Sequence, residues 1–289
     1  MFKKKKDQTY QSYWSISWNI CKKNKVAMVC LFIVILLCLI ALFAPLIAPY
    51  DPNKQVLTDR LMKPCGQHWF GTDDLGRDIF SRIIYGCRVS LSVGIISQII
   101  ATVIGYTMGV CAGYFGGKVD SVISFLIQVF SSFPFLLFAM AIMFVLGPGL
   151  INLYLALGLL GWASTARLIR GDVMRLKKME YIDACKVSGG NSFRIIMKHL
   201  LPNCLSTLIV TVTLGVPNAI MSEASLSFLG LGVKAPMASW GSMISFSQPY
   251  IRSATYYSVI PGLAIIITVL AFNMLGDGLR DALDPKLRS

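Results

Sequence analysis

Val26-Ala27-Met28-Val29-Cys30-Leu31-Phe32-Ile33-Val34-Ile35-Leu36-Leu37-Cys38-Leu39-Ile40-Ala41-Leu42-Phe43-Ala44 is a run of nineteen residues with no charge and no proline. A helix needs about 20 apolar residues to cross roughly 30 Å of hydrocarbon, so the run predicts a transmembrane span. A secretory signal has an apolar core of about 7–15 residues behind a short charged lead. Here the lead is twenty-five residues and the core is longer, which argues against a cleaved signal. Five further apolar stretches follow, at 89–115, 122–146, 150–168, 205–229 and 256–275. Lipid offers no water to peptide groups, and none of these stretches alternates with period two, so they predict helices and not barrel strands. The expected fold is an all-α integral membrane protein with six transmembrane helices.

Composition agrees. Of 289 residues, 55% are hydrophobic and 14% charged, against about 25% charged in soluble chains. The net charge of +13 is explained by where the cations lie. With the N-terminus inside, the inner segments hold nineteen Lys and Arg and the outer segments eight. That asymmetry places both termini in the cytoplasm and makes a nucleic-acid partner unnecessary. Lys3, Lys4, Lys5 and Lys6 are also suited to meet anionic membrane lipid. The chain divides into a basic cytoplasmic segment 1–25, an anchor helix 26–48, an extracytoplasmic loop 49–88, a five-helix body 89–277 with a cytoplasmic segment 167–204, and a tail 278–289. Of eight cysteines, only Cys65 and Cys87 fall in one polar loop, so at most one disulfide is expected.

Several residues inside the spans are unusual. Gly105, Gly109, Gly113 and Gly117 recur every four residues and predict a close helix contact on one face. Pro134, Pro217 and Pro261 each remove a backbone donor and predict kinks, of which Pro134 and Pro217 are candidates for a translocation path or gate. Glu223 is the only acidic side chain within the six spans. A carboxylate there is either part of a path or gate, or a structural group that snorkels to the outer interface.

The segment between the fourth and fifth spans contains Glu180-Tyr181-Ile182-Asp183-Ala184-Cys185-Lys186-Val187-Ser188-Gly189-Gly190, then Asn191-Ser192, and ends at Leu201-Pro202. A short helix is expected to stop at Gly189-Gly190, where left-handed backbone is accessible. Asn191 or Ser192 can cap a second short helix that finishes before Pro202. A surface-lying amphipathic element is the alternative.

This spacing resembles the EAA signature of permeases in binding-protein-dependent ABC importers. Asp183-Ala184-Cys185 stands for Glu-Ala-Ala, followed by Gly189 and Leu201-Pro202 at the matching distances. In the outer loop, Phe70-Gly71-Thr72-Asp73-Asp74-Leu75-Gly76-Arg77-Asp78 is similar to a segment of the oligopeptide/dipeptide/nickel group. So are Ser227-Phe228-Leu229-Gly230-Leu231-Gly232-Val233 and the tail 275–285. The resemblance implies a type I ABC importer permease fold of the C-type partner, in the cytoplasmic membrane of a prokaryote. It further implies peptide import, with nickel-chelate import as the alternative. Implied partners are a second homologous permease, two ATP-binding subunits that carry ATP and Mg, and an extracytoplasmic binding protein. Asp183, Ala184, Cys185, Gly189, Gly190, Leu201 and Pro202 would then couple the spans to the ATPases.

No catalytic or cofactor motif competes. Around Gly117-Lys118, Ala112 and Val119 stand where a P-loop requires Gly and Ser/Thr. His68 and His199 fall on opposite expected sides of the membrane, and no metal-binding spacing is readable. An intramembrane aspartyl protease would need a partner for Asp277 within a span, and none is present. An ion-coupled secondary transporter using Glu223 is the alternative of a different class, although several facing carboxylates would suit ion coupling better than one. Gly71, Thr72, Asp73, Asp74, Gly76, Arg77 and Asp78 are expected to form a folded turn bracing the outer mouth or meeting the binding protein, and not a metal site.

Overall fold

Asn24 opens the first span. Its side-chain oxygen accepts the Ala27 N–H at 3.1 Å and caps α2, Lys25–Leu42. A computed structural model describes residues 13–283, so the lysines at 3–6 and residues 284–289 lie outside the described residues. Helix α1, Tyr13–Lys23, precedes α2, and the short α3, Ala44–Ile47, follows it.

The second span is longer than its apolar run. Asp78 caps α4, Ile79–Phe115, by accepting the Ser81 N–H at 2.7 Å, so α4 starts inside the segment expected as outer loop. Its first turns are buried under the loop, with Ser81 and Arg82 at 0% and 1% exposure. Helices α5, Gly117–Ser132, and α6, Phe135–Leu146, follow and meet at a 90° bend. Phe133 is extended there, as the residue before a proline tends to be, so the kink expected at Pro134 is a full break. Pro217 and Pro261, by contrast, are buried inside continuous helices.

Helix α7, Leu150–Leu176, leads to α8, Glu180–Val187, and α9, Ser192–Ile195. A π-helical turn, Ile196–Leu200, then runs directly into α10, Leu201–Phe228. The second short helix therefore does not finish before Pro202. Proline has no N–H to give to the preceding turn, and the wider π winding absorbs that loss without breaking the rod. Helices α11, Trp240–Ser247, and α12, Thr255–Leu283, complete the fold.

Among the described residues four helical stretches are long and apolar enough to span a membrane: α2, α4, the continuous Ser192–Phe228 and α12. The bent α5–α6 pair makes a fifth if counted as one span. Helix α7 falls outside this set because Asn152, Ser164, Thr165 and Arg167 dilute its apolar content. It is instead packed into the bundle, burying Leu153, Trp162, Ala166, Ile169 and Val173.

Helix α4 packs closely on α7 along a run of glycines. A Cβ on Gly105, Gly109 or Gly113 would lie 2.6 to 2.9 Å from α7 atoms, so only glycine lets the two backbones approach. Gly117 is not part of that face. It starts α5 with φ +53°, after Gly116 at +68°, and a Cβ there would meet nothing within 4 Å. Cys65 and Cys87 are not bridged: Cys65 is exposed, while Cys87 is buried in α4 and donates its thiol to the Leu37 carbonyl of α2 at 3.5 Å.

Candidate coupling and translocation site

The segment 180–202 folds as a corner. Helix α8 ends in a Schellman arrangement: the Gly189 N–H donates to Lys186 O at 3.0 Å and the Gly190 N–H to Cys185 O at 2.9 Å. Gly189 takes φ +80°, which L side chains rarely adopt, and its Cα faces open space. A Cβ on Gly190 would instead fall 2.5 Å from the Cys185 sulfur. Asn191 caps α9 by accepting the Arg194 N–H at 2.8 Å. Ile182, Ile195 and Leu200 are fully or almost fully buried against Val110, Ile169, Val173 and Leu208 of the spans. These anchors leave the rest of the corner outside: Asp183 pairs with Lys186 at 2.7 Å on the surface, and Val187 and Phe193 are 89% and 71% exposed. Leu201 and Pro202 begin α10 beyond the π turn, and Pro202 lines the cavity described next.

A cavity of about 1550 Å³ runs between α4, α5, α6, α7 and α10, with Arg280 and Leu283 of α12 also lining it. The α10 wall supplies a polar stripe at helical spacing, including Asn203, Thr207, Thr211, Asn218, Ser222 and Ser225. Ser97 and Gln98 of α4 and Ser164 and Thr165 of α7 face them. Phe133 and Phe135, flanking Pro134, also line it, so the α5–α6 break shapes one wall. The stripe escaped the sequence analysis because scattered Ser, Thr and Asn do not reveal which face turns inward.

Glu223 is fully buried and is not among the lining residues, so it does not snorkel to an interface. Its carboxylate accepts the Ser227 hydroxyl at 2.7 Å and the Ser90 hydroxyl at 3.4 Å, with Ser239 as a further hydrogen-bond partner. Ser90 Oγ in turn accepts the Trp240 N–H at 3.2 Å. The carboxylate thus ties α4, α10 and α11 together, with Pro217 buried nearly two turns earlier on α10.

In the outer loop, Asp73 is fully buried and accepts the Leu75 and Arg77 N–H groups at 2.9 Å and Arg77 Nε at 2.6 Å. Arg82 approaches the same carboxylate at 3.4 Å and donates to Pro52 O at 2.9 Å. Asp78 holds His68 at 2.9 Å besides capping α4. Asp74 accepts the Tyr257 hydroxyl at 3.2 Å, which fastens the loop to α12. Thr72 bonds the Asp59 carbonyl and accepts the Met62 N–H at 2.8 Å. Gly71 and Gly76 have φ +76° and +70° and pack against loop backbone. The charges are paired with one another and with backbone, and the described residues hold no cluster of three metal-ligating side chains.

The described residues form a multi-span helical bundle with a polar-lined cavity and a surface corner anchored to its helices, and the family it matches makes it a membrane permease. The chain belongs to the family of binding-protein-dependent transport system inner membrane components, which matches residues 102–289; residues 12–64 match the N-terminal transmembrane domain of oligopeptide transport permease C. It is 46% identical over 278 residues to the dipeptide transport system permease protein DppC of Bacillus subtilis, covering 96% of this chain and 87% of that one. It is 42% identical to the oligopeptide permease OppC of the same organism, covering 96% and 91%. Identity to the glutathione permease GsiD of Pectobacterium atrosepticum is 40%, covering 98% and 95%. An inward-facing MetNI methionine ABC transporter shares the fold with a TM-score of 0.57 at 19% identity, over 71% of this chain and 98% of that one. The protein is therefore a permease subunit of an ABC importer in the cytoplasmic membrane.

Proposed function

We propose that this chain forms half of a peptide-conducting pathway, with six spans and both termini in the cytoplasm, and that α8 and the Gly189 corner dock on an ATP-binding subunit. Helix α7 is the sixth span, its polar residues turned to the cavity and to neighbouring helices. A second homologous permease closes the open side of the cavity. Two ATP-binding subunits hold ATP and Mg, an extracytoplasmic protein delivers the peptide, and this chain performs no chemistry itself.

The observation that carries the coupling role is the exposed apolar surface of the corner, Val187 and Phe193, on a base rigidly anchored by Ile182 and Ile195. A surface of that kind, fixed to the spans, suits transmission of a partner's movement. Peptide as cargo is supported by the dipeptide and oligopeptide relatives. The cavity's volume of about 1550 Å³ also exceeds the roughly 300–1,000 Å³ of small-ligand pockets.

The test is co-purification of the tagged chain in mild detergent, with ATPase activity measured on the eluate. Wild type is expected to bring down a second permease and ATPase subunits. Gly189→Glu is expected to lose them or their stimulated turnover. A chain that purifies alone under several gentle conditions would refute the assignment.

A further inference from the structure

A second cavity, of about 870 Å³, lies at the end of the bundle away from the α8 corner: α7 enters it at Leu150 and reaches α8 only after Leu176. It is bounded by α3 and the loop after it, the first turns of α4, the start of α7 and the chain just before α11. Two charged side chains line it, Arg88 of α4 and Asp51 of the loop. Arg77 and Arg82 nearby are both paired with Asp73. Arg88 is exposed and has neither an ion pair nor a hydrogen bond among the described residues. Asp51 accepts the Asn53 N–H at 2.8 Å and has no ion pair among them either. Three tyrosines complete the wall. Tyr154 shares a hydrogen bond of 2.8 Å with Ser92, and Tyr50 donates to the Gln67 carbonyl at 3.1 Å. The Tyr85 hydroxyl, one turn before Arg88, has no partner among the described residues.

The α4 face that enters this cavity turns away from the bundle. Tyr85, Arg88 and Ser92 recur at helical spacing, and Ile96, Ile99 and Val103 continue the same line as exposed apolar residues. Ser97 and Gln98, which line the large cavity, lie about 120–140° around the helix from Ser92. The two cavities are therefore on different sides of α4. From Arg88 to Ile99 is eleven residues, about 16 Å of helix, or half of the roughly 30 Å of hydrocarbon. An unpaired arginine beside lipid tails is costly unless an anion meets it, and tyrosines gather at the headgroup level. Arg88 thus stands among tyrosines with an apolar stripe one leaflet deep beneath it.

We propose that this cavity holds the headgroup of a phospholipid from the adjoining leaflet. Arg88 and the Tyr85 hydroxyl take the phosphate, Asp51 takes a headgroup ammonium, and the acyl chains lie along Ile96 and Ile99. A guanidinium meets phosphate oxygens with a fork of N–H donors and stays charged at any working pH. Because Arg88 and Asp51 line one cavity without pairing with each other, the site presents both signs at once. That suits a headgroup carrying phosphate and ammonium better than a purely anionic one. A peptide also carries both signs, but a peptide in transit would use the polar-lined cavity on the other side of α4. The apolar stripe below Arg88 has the length of an acyl chain, and only a lipid joins such a chain to a charged head. The inference does not depend on what the importer carries.

The test uses the whole importer, purified in mild detergent, washed free of lipid and titrated with phosphatidylethanolamine while native mass spectrometry counts the bound lipid. Wild type is expected to bind it and to ignore diacylglycerol with the same chains. Arg88→Gln is expected to weaken binding roughly tenfold. Its melting temperature without lipid should equal that of wild type, because Arg88 has no internal partner to lose. Asp51→Asn is expected to move the preference from phosphatidylethanolamine towards phosphatidylglycerol by about threefold. Arg252→Gln, an exposed cation that lines neither cavity, serves as the control with unchanged binding. Equal binding by Arg88→Gln, or by diacylglycerol, would overturn the site. So would loss of the second permease from the Arg88→Gln complex, which would make this face a subunit contact. Displacement of the bound lipid by trialanine would overturn it as well, by making the cavity part of the cargo path. An unchanged headgroup preference in Asp51→Asn would overturn the ammonium assignment.

Discussion

Replacing Gly109 by alanine tests the α4–α7 seam most directly. The added Cβ would stand 2.7 Å from the Ala166 carbonyl oxygen, 2.9 Å from Ile169 Cβ and 3.1 Å from Arg170 N. Ordinary contact begins at 3.4 Å, so the helices must part locally by about 0.7 Å. Two of the obstructing atoms are backbone and cannot turn aside. A gap of about 0.5–1 Å forfeits a quarter to a half of each pair attraction along the seam. Overpacking of this kind costs about 1–3 kcal/mol. Gly161→Ala, whose Cβ would meet Ala101 Cβ at 3.0 Å, should cost less. Gly171→Ala, on an exposed helical face with nothing within 4 Å, should stabilise by about 0.4–1 kcal/mol through lost unfolded-state freedom. Thermal unfolding of the purified protein in detergent reads all three. A Gly109→Ala melting temperature at or above wild type, or no ordering among the three, would refute the seam.

Asp78→Ala removes the cap of α4 and strands the buried Ser81 and the half-buried His68, so a loss of about 2–4 kcal/mol is expected in the same melt; a loss under about 0.5 kcal/mol would show that the loop carries the helix start without it. For Glu223, Gln keeps an acceptor for Ser227 and should retain near-normal uptake. Leu strands the Ser90 and Ser227 hydroxyls and should cost about 2–4 kcal/mol, an ordering checked by paired uptake and melting measurements. At Gly189, Asn tolerates left-handed backbone and should keep most coupling. Ala should lose about 1–2 kcal/mol of corner stability, and uptake per ATP hydrolysed should fall from Asn to Ala to Glu. Orientation is read by an impermeant maleimide on intact cells, which should label exposed Cys65 and spare a cysteine placed at Val187; the reverse pattern would invert the topology.

Much of this architecture was legible because lipid imposes length. The run at 26–44 appears as α2 and the proline at 134 as a bend, since neither depends on distant residues. What escaped depends on pairing across the chain. Helix α4 reaches back to Ile79 because Arg82 and Ser81 find partners in the loop, and hydropathy cannot see a partner. Helix α7 hides among other helices, so its polar residues look like weak span signal. Gly117 continued a four-residue rhythm that the chain abandons one residue earlier, at Gly116. Glu223 stood out by its charge, but its role as a tie depends on Ser90 and Ser239 from other elements, which no spacing connects to it. The corner at Gly189 was readable because its glycines and its Asn cap act locally. The cavity wall was not, because facing is a property of the assembled bundle.

The π turn at Ile196–Leu200 sets an angular phase. Helix α9, the second arm of the corner, and the polar stripe of α10 belong to one unbroken rod of 37 residues, about 55 Å long, and that turn lies between them. One residue of winding is about 100° of azimuth in an α-helix. Rewinding these five residues as α would swing α9 and everything attached to it by about that angle relative to Thr211 and Asn218. None of the five lines the cavity. The azimuth between the exposed corner and the polar cavity wall is thus stored in a short stretch that lines no part of the cavity, where a one-residue insertion or deletion would turn one against the other without altering either surface.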